Sequence, residues 1–133
     1  MPAPCSYDYA VIRVVPRVER EEFVNVGVIV SCHEREFLEA RIELDEARVL
    51  ALDPRADLAT VRSHLDTIPV ICAGGEAAGP IGKLTPRERF RWLVAPRSTI
   101  IQVSAAHTGR AEDPAYALER LLNSMVRTPV SRA

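Results

Sequence analysis

The sequence has little lysine, no paired cysteines and no long apolar run, and each shortage excludes a class of protein. Lys83 is the single lysine among 17 basic residues, and the net charge is −1 at pH 7. No global field therefore draws the chain toward nucleic acid or an anionic membrane. Cys5, Cys32 and Cys72 are widely spaced and form no C-x-x-C pair. They are typical of free thiols in a reducing cytoplasm, not of a disulfide framework.

No apolar run approaches the roughly 20 residues that span a bilayer. The opening M-P-A-P-C-S lacks the basic and apolar regions of a signal peptide. We therefore expect a cytoplasmic protein without a membrane partner. We also predict no cofactor. With 133 residues, 47% hydrophobic and 26% charged, the chain predicts one folded domain, residues 1–133, whose core needs neither metal nor disulfide. The excess of arginine over lysine has two possible explanations, a biased genome composition or selection for bidentate anion binding.

Three strands are predicted in the first third of the chain, at residues 7–15, 23–32 and 37–44. They are rich in β-branched and aromatic residues, and short charged turns connect them, which favours an antiparallel meander. Four residues of the second strand share one face and predict a core: Val24, Val26, Val28 and Val30. Gly27 interrupts the same strand, which indicates a bulge or a close approach by another backbone.

Helical signals follow the meander. A short helix is predicted at residues 45–52, and Asp57 caps a second helix that Pro69 ends or kinks. Thr85 and Glu88 form a capping box for a third helix, and Asp113 with Pro114 begins the last. A fourth strand is predicted at residues 98–104. The order β-β-β-α-α-β-α predicts an α+β fold: a three-stranded antiparallel meander plus a fourth strand, with the helices packed on one face.

Several motifs are incomplete. The loop G-G-E-A-A-G-P-I-G-K lacks the glycine and the hydroxyl residue that a phosphate loop needs at Ala77 and Leu84. The cysteines and histidines do not have the spacing of a structural zinc site, so no metal is predicted. Ser98 or Cys32 could pair with His107 as nucleophile and base, but no strained nucleophile turn is recognisable. The run R-E-R-F-R-W suits an anionic partner or a solvated helix face.

The candidate site consists of polar residues at the two ends of the predicted fourth strand and on the sheet beside it. These anion- or partner-binding candidates are Arg13, Asn25, Arg97, Ser98, His107 and Thr108. A strand of seven residues is about 23 Å long, so its ends converge only if residues 105–109 fold back or each end meets the sheet separately. The alternative is that Arg97 and Ser98 cap element ends while Thr108 lies in a turn.

Long segments of the chain resemble a known family. They are Y-D-Y-A-V-I-R-V-V-P-R-V-E-R-E-E-F-V-N-V-G-V-I-V, then I-C-A-G-G, then R-F-R-W-L-V-A-P-R-S-T-I-I-Q with H-T-G. Together they are similar to the domain of unknown function 3037 family over nearly the whole chain. The resemblance implies a bacterial protein that is often encoded beside a HipA-like kinase-fold protein. It implies no activity and no catalytic residues.

Two functions remain open at this point. One is a small non-catalytic binding or regulatory module that partners the HipA-like kinase-fold protein. The other is an enzyme or ligand-binding domain for a phosphate- or carboxylate-bearing small molecule, in which Arg13, Arg97 and His107 hold the anion and Asn25 orients it. Nucleic acid is disfavoured as a partner by the neutral charge, and self-association is left open.

Overall fold

The computed structural model describes residues 3–129 and places five antiparallel strands in one sheet. The strands are β1 (Cys5–Val14), β2 (Val24–Cys32), β3 (Phe37–Ile42), β4 (Ile101–Val103) and β5 (His107–Ala111). The order across the sheet is β3-β2-β1-β4, and β5 also pairs with β1. Strand β4 pairs with residues 12–14 of β1 and β5 with residues 5–9. The predicted α+β class and the meander are confirmed.

Within residues 3–129, four α-helices accompany the sheet, namely α1 (Glu46–Leu52), α2 (Leu58–Ala73), α3 (Pro86–Val94) and α4 (Pro114–Met125). A 3-10 segment, Glu76–Lys83, connects α2 to α3. The predicted caps are present at Asp57, Thr85 and Asp113, each accepting a backbone N–H from the first turn. Such a cap is worth about 1 kcal/mol to its helix. The sequence therefore located these helix starts through local chemistry alone.

Helix α2 continues past Pro69 to Ala73, where the sequence analysis expected an end or a kink at the proline. Proline lacks the amide that would otherwise donate to the carbonyl of Leu65, which costs about 3 kcal/mol in a helix interior. The extra turn buries Ile71 and Cys72 in the core. Burying an aliphatic side chain of this size contributes about 1.5–3 kcal/mol, so tertiary packing offsets the cost of the proline.

Strand β2 contains the bulge that Gly27 indicated. Ile12 pairs with Gly27 whereas Arg13 pairs with Asn25, so Val26 is an additional residue without a partner on β1. A Cβ at Gly27 would lie 2.7 Å from the carbonyl oxygen of Arg41 on β3. The glycine is therefore needed because the neighbouring backbone occupies the place of a side chain.

The bulge divides the four valines between the two faces of the sheet. Val24 and Val26 pack with Ile29 against α1, α2 and α3, whereas Val28 and Val30 pack against α4. The prediction of a single valine face is corrected on this point, because an inserted residue reverses the alternation beyond it. All four valines are nonetheless buried. We call the two sides the three-helix face and the α4 face.

The prediction that every helix packs on one face is wrong for α4, which covers the other face. Cys5 and Tyr7 of β1 alternate with the residues that point to the three-helix face, and they are buried under Leu118 and Leu122 of α4. The bulge adds Val28 to this second apolar surface. An apolar strip of this kind must be covered, and α4 supplies the cover.

The sequence does not predict strand β5, and the fourth strand, β4, is shorter than the predicted residues 98–104. Gly109 of β5 lies opposite Tyr7 of β1. The Tyr7 phenol occupies the space where a Cβ of Gly109 would lie, 2.5 Å from it. An aromatic ring that covers a strand glycine in this way stabilises pairing that local propensity does not support. Ser104, between β4 and β5, accepts the Val11 amide through its Oγ at 2.9 Å.

Substituting Gly27 with alanine tests the bulge. We expect Gly27→Ala to lower the free energy of unfolding by about 1–3 kcal/mol, because the new methyl group collides with a backbone carbonyl that cannot rotate away. Urea denaturation measures the change. Ser6→Ala, at an exposed position of β1, is the matched control and should stay within about 0.5 kcal/mol. Equal stability of the two variants would contradict the role of the glycine.

An ion network ties the end of α4 to β3. Arg127 donates from Nε and Nη2 to the carboxylate of Glu43, at 2.8 and 2.7 Å, and from Nη1 to Glu119 at 2.5 Å. Glu119 also accepts from Arg41. These hydrogen bonds from Arg127 hold the pKa of both Glu43 and Glu119 below the ordinary value of 4.5. The network fixes α4 over the sheet at its C-terminal end.

The lowered pKa values predict an acid-dependent loss of stability. Carboxyl groups that titrate lower in the folded chain stabilise it above their unfolded pKa, and this contribution is lost as pH falls through the folded value. We expect the free energy of unfolding to decline below about pH 4.5, and Arg127→Gln to flatten that decline. Urea denaturation at successive pH values measures it. Arg55→Gln, at an exposed arginine without an ion pair within residues 3–129, should leave the slope unchanged.

Candidate functional site

Arg97 closes the C-terminus of α3. Its Nη1 donates to the carbonyls of Leu93 and Ala95 at 3.0 and 3.2 Å, and its Nη2 donates to the carbonyl of Trp92 at 2.7 Å. The guanidinium carbon lies 4.4 Å from the centre of the Trp92 ring. A cation at a helix C-terminus compensates the partial negative charge of the last carbonyls, and stacking over an indole adds cation–π attraction. Arg97 therefore orients the ring of Trp92.

A mostly apolar depression lies beside this tryptophan. It has a volume of about 580 Å³ and runs between α2, the 3-10 segment and α3. We name it the Trp92 groove. Its lining residues are Asp66, Thr67, Val70, Ile71, Ala77, Ala78, Ile81 and Trp92. Val70 is 39% exposed and Trp92 is 40% exposed, so the groove presents large apolar side chains to solvent.

A smaller depression of about 110 Å³ adjoins the Trp92 groove, and the two share Thr67, Ile71 and Trp92. We name it the Arg97 recess. Its remaining lining residues are His64, Ile68, Leu93, Arg97, Ile101 and Val103. Cationic and imidazole groups line the recess, whereas the groove has the carboxylate of Asp66. The groove is mostly apolar, the recess is of mixed polarity, and the two parts differ in charge.

The candidates Arg13 and Asn25 lie on the opposite side of the sheet. They are partners across β1 and β2, directly beside the bulge, and Asn25 donates its Nδ2 to the carbonyl of Met125 at 3.1 Å. The guanidinium of Arg13 stacks on Phe23 at 4.2 Å. The Nε of Arg13 and the Oδ1 of Asn25 are buried without a hydrogen-bond partner among residues 3–129. The two side chains thus form a polar row under the end of α4.

The remaining candidates are separate from that row. His107 is exposed and its ring centre lies 5.5 Å from that of Tyr9 on the α4 face. Thr108 points to the other face, since it follows His107 in the strand and pairs with Asp8. Ser98 is exposed between α3 and β4. The structure therefore brings Arg13 together with Asn25, and does not bring either of them to Arg97.

Sequence reasoning did not select the groove residues. One signal was available: Val70 lies outside the helical stripe formed by Val61, Leu65 and Ile68, so it places an apolar side chain on a face that is otherwise polar. No local signal indicated that Ala77 and Ile81 of the loop would lie opposite it. The groove exists because the 3-10 segment folds back against α2, which spacing along the chain does not show.

A buried arginine holds that loop in place. Arg89 of α3 donates to the carbonyls of Leu84 and Cys72 at 2.5 and 3.2 Å, and its guanidinium lies 2.9 Å from where a Cβ of Gly74 would stand. Gly74 has a φ of +73°, a conformation that glycine adopts without strain. Burial raises the pKa of the neighbouring Cys72 thiol to about 12, so this cysteine is a structural group and not a thiolate nucleophile.

The run R-E-R-F-R-W is accounted for by packing and ion pairing. Arg87 pairs with Asp8 at 2.5 Å and Phe90 is buried, so these residues fasten α3 to the sheet. Arg91 is exposed on the same helix. Within residues 3–129, no group of three His, Cys, Asp or Glu side chains is placed to hold a metal ion. No helix in that range has both the length and the apolarity to cross a membrane.

Comparison with known proteins identifies a family and nothing more specific. Residues 9–126 match the family described as "Protein of unknown function (DUF3037)". No curated protein and no solved structure matches the chain. The matched range includes the bulge in β2, all four helices and both parts of the groove surface.

Removing the Arg97 side chain tests its structural role. We expect Arg97→Ala to lower the free energy of unfolding by about 1–2 kcal/mol, because three carbonyls at the end of α3 lose their donor and the indole loses its stacking cation. Trp92 is the single tryptophan, so its fluorescence reports both unfolding and the changed environment. Arg91→Ala, which removes an exposed arginine from the same helix, should stay within about 0.5 kcal/mol.

Proposed function

This chain belongs to the DUF3037 family, and on that premise we propose that it is a binding module that holds an apolar segment of a partner protein in the Trp92 groove. The observation that carries the proposal is the joint exposure of Val70 and Trp92 along one apolar groove. Tryptophan and arginine are the residues most enriched at the energetic centres of protein interfaces. Here they are stacked on one another at the groove.

The groove has the construction that helix-in-groove recognition uses. Two helices and a 3-10 segment form its walls, and Ile71, one of its lining residues, is buried in the core. The apolar residues of an amphipathic helix recur every three or four positions and fit a groove of this kind. Because folded helical elements form the walls, the groove exists before a partner binds, which reduces the ordering cost of binding.

The partner that we propose is the HipA-like kinase-fold protein that the family resemblance implies. The chain would regulate or assemble this partner by binding one of its segments, without a chemical reaction. The alternative of a small phosphate or carboxylate ligand held jointly by Arg13, Arg97 and His107 has less support. Arg97 belongs to the three-helix face, whereas Arg13 and His107 lie on the α4 face, so one small anion would not reach all three.

Co-expression with the HipA-like kinase-fold protein of the same genome, followed by size-exclusion chromatography at micromolar concentration, tests the proposal. We expect the wild-type chain to co-elute with its partner. Val70→Glu should abolish co-elution, because it places a charge where apolar surface would be buried. Since Val70 is 39% exposed, this variant should retain its fold, which urea denaturation verifies.

Tyr116→Glu is the matched control, because Tyr116 is 66% exposed on α4, away from the groove. It introduces the same charge at an exposed apolar side chain and should leave co-elution intact. Two separate peaks for the wild-type proteins would contradict the proposed partner. Equal loss of co-elution in Val70→Glu and Tyr116→Glu would contradict the groove as the binding surface.

A further inference from the structure

The guanidinium of Arg97 has donors to spare at the edge of the apolar surface. Arginine carries five N–H groups, and three hydrogen bonds to carbonyls at the end of α3 account for three of them. Two donors have no acceptor among residues 3–129, and the side chain makes no salt bridge within that range. The hydrogen bonds at the helix end therefore leave the Nε–H and one N–H of Nη2, two neighbouring nitrogens of the guanidinium, for another molecule.

The surroundings of these donors favour an anion. The Arg97 recess also contains the imidazole of His64, and no carboxylate from residues 3–129 lines it. The one carboxylate of the combined surface, Asp66, lines the Trp92 groove only. A carboxylate of a bound molecule would thus meet attraction in the recess and repulsion beside Asp66. This difference in charge favours one orientation of a bound molecule, with its carboxylate in the recess and its apolar part in the groove.

We infer that the segment bound in the Trp92 groove is an acidic amphipathic helix, whose apolar side chains occupy the groove and whose Asp or Glu carboxylate accepts from Arg97. This inference rests on the proposed function and specifies the chemistry of the partner. The groove and the recess share Trp92 and Thr67, so a side chain in one is adjacent to a side chain in the other. Residues three or four apart on a helix are neighbours at about 5–6 Å, which matches this adjacency.

Carboxylate is the anion that fits best, because two parallel N–H donors of a guanidinium match the two oxygens of one carboxylate. Stacking of the guanidinium on Trp92 fixes the plane of the fork before binding, so little side-chain entropy is lost when the carboxylate arrives. The stacking also places the indole next to the bound charge, which makes its fluorescence a direct reporter of the contact.

A displayed library of random 16-residue peptides, selected on the full chain, provides the probe. Each selected peptide is synthesised with its acidic residues intact and with each Asp or Glu changed to Asn or Gln, and binding is titrated by Trp92 fluorescence. We expect binders that combine an apolar stripe with an acidic residue at fixed spacing. Neutralising that residue should weaken binding about tenfold, the usual effect of losing a charge-assisted bidentate contact.

Two neighbouring positions of α2 supply variants that leave the Arg97 contacts in place. His64 lines the recess, whereas Ser63 is exposed and lies outside both depressions. His64→Glu should weaken the acidic peptide at least about fivefold and leave its neutralised form within about twofold, as expected for like-charge repulsion in the recess. Ser63→Glu should leave both peptides within about twofold.

The outcomes separate this inference from the proposed function. Peptides whose binding requires Val70 but is unchanged when their acidic residues are neutralised would contradict the inference of an acidic helix. The groove would then still be a protein-binding site. A library that yields no Val70-dependent binder would overturn both. Dodecanoate, an apolar chain with one carboxylate, is titrated in parallel. If dodecanoate binds more tightly than the peptides and displaces them, the surface is a site for small carboxylates and the proposal of a bound protein segment is wrong.

Discussion

The bulge at Val26 and Gly27 is the constraint on which the rest of the structure depends. One additional residue on β2 reverses the alternation of side chains, so the strand supplies apolar residues to both faces of the sheet. A sheet with two apolar faces must be covered on both sides. Helices α1, α2 and α3 cover one face and α4 covers the other. The bulge itself persists because β3 passes so close to Gly27 that no side chain fits there.

Dividing the core between two faces also divides the polar side chains. Arg13 and Asn25 lie beside the bulge under the end of α4, whereas Arg97 lies at the end of α3 on the three-helix face. The sheet separates Arg97 from Arg13 and Asn25. The ion network of Glu43, Arg127 and Glu119 fixes α4 at one end of its face. The Trp92 groove lies on the other side of the sheet, between α2, the 3-10 segment and α3.

At that groove, one contact serves both structure and recognition. The hydrogen bonds from Arg97 to the last carbonyls of α3 use one part of its guanidinium, and the stacking on Trp92 orients the rest. A side chain held by several contacts loses little freedom on binding, and an indole held by the same contacts is a preformed apolar anchor site. The loop that completes the groove is in turn held by the buried Arg89. Two arginines of this lysine-poor chain thus position the groove: Arg97 orients Trp92, and Arg89 holds the loop.

Local chemistry made much of this fold predictable. Asp57, Thr85 and Asp113 are strong caps, and each one marks a helix start in the structure. Short turns between β-branched runs indicated the meander, and Gly27 indicated a bulge. The strand β5 was not predictable, because its sequence H-T-G-R-A has little strand propensity. It pairs along its whole length with β1, and Tyr7 of β1 covers Gly109 at its centre. Helix α2 likewise passes through Pro69 because residues far away in sequence bury its last turn.

The sequence by itself determined the class of fold, the positions of the helix starts and the pairing of the first three strands, since each of these depends on neighbours within a few residues. The tertiary structure decided which face each valine serves, which candidate residues meet, and where the apolar groove lies. Those features depend on a register shift in β2, on α4 crossing the second face and on a loop returning against α2. All three arise from contacts between distant parts of the chain, and no local pattern encodes such contacts.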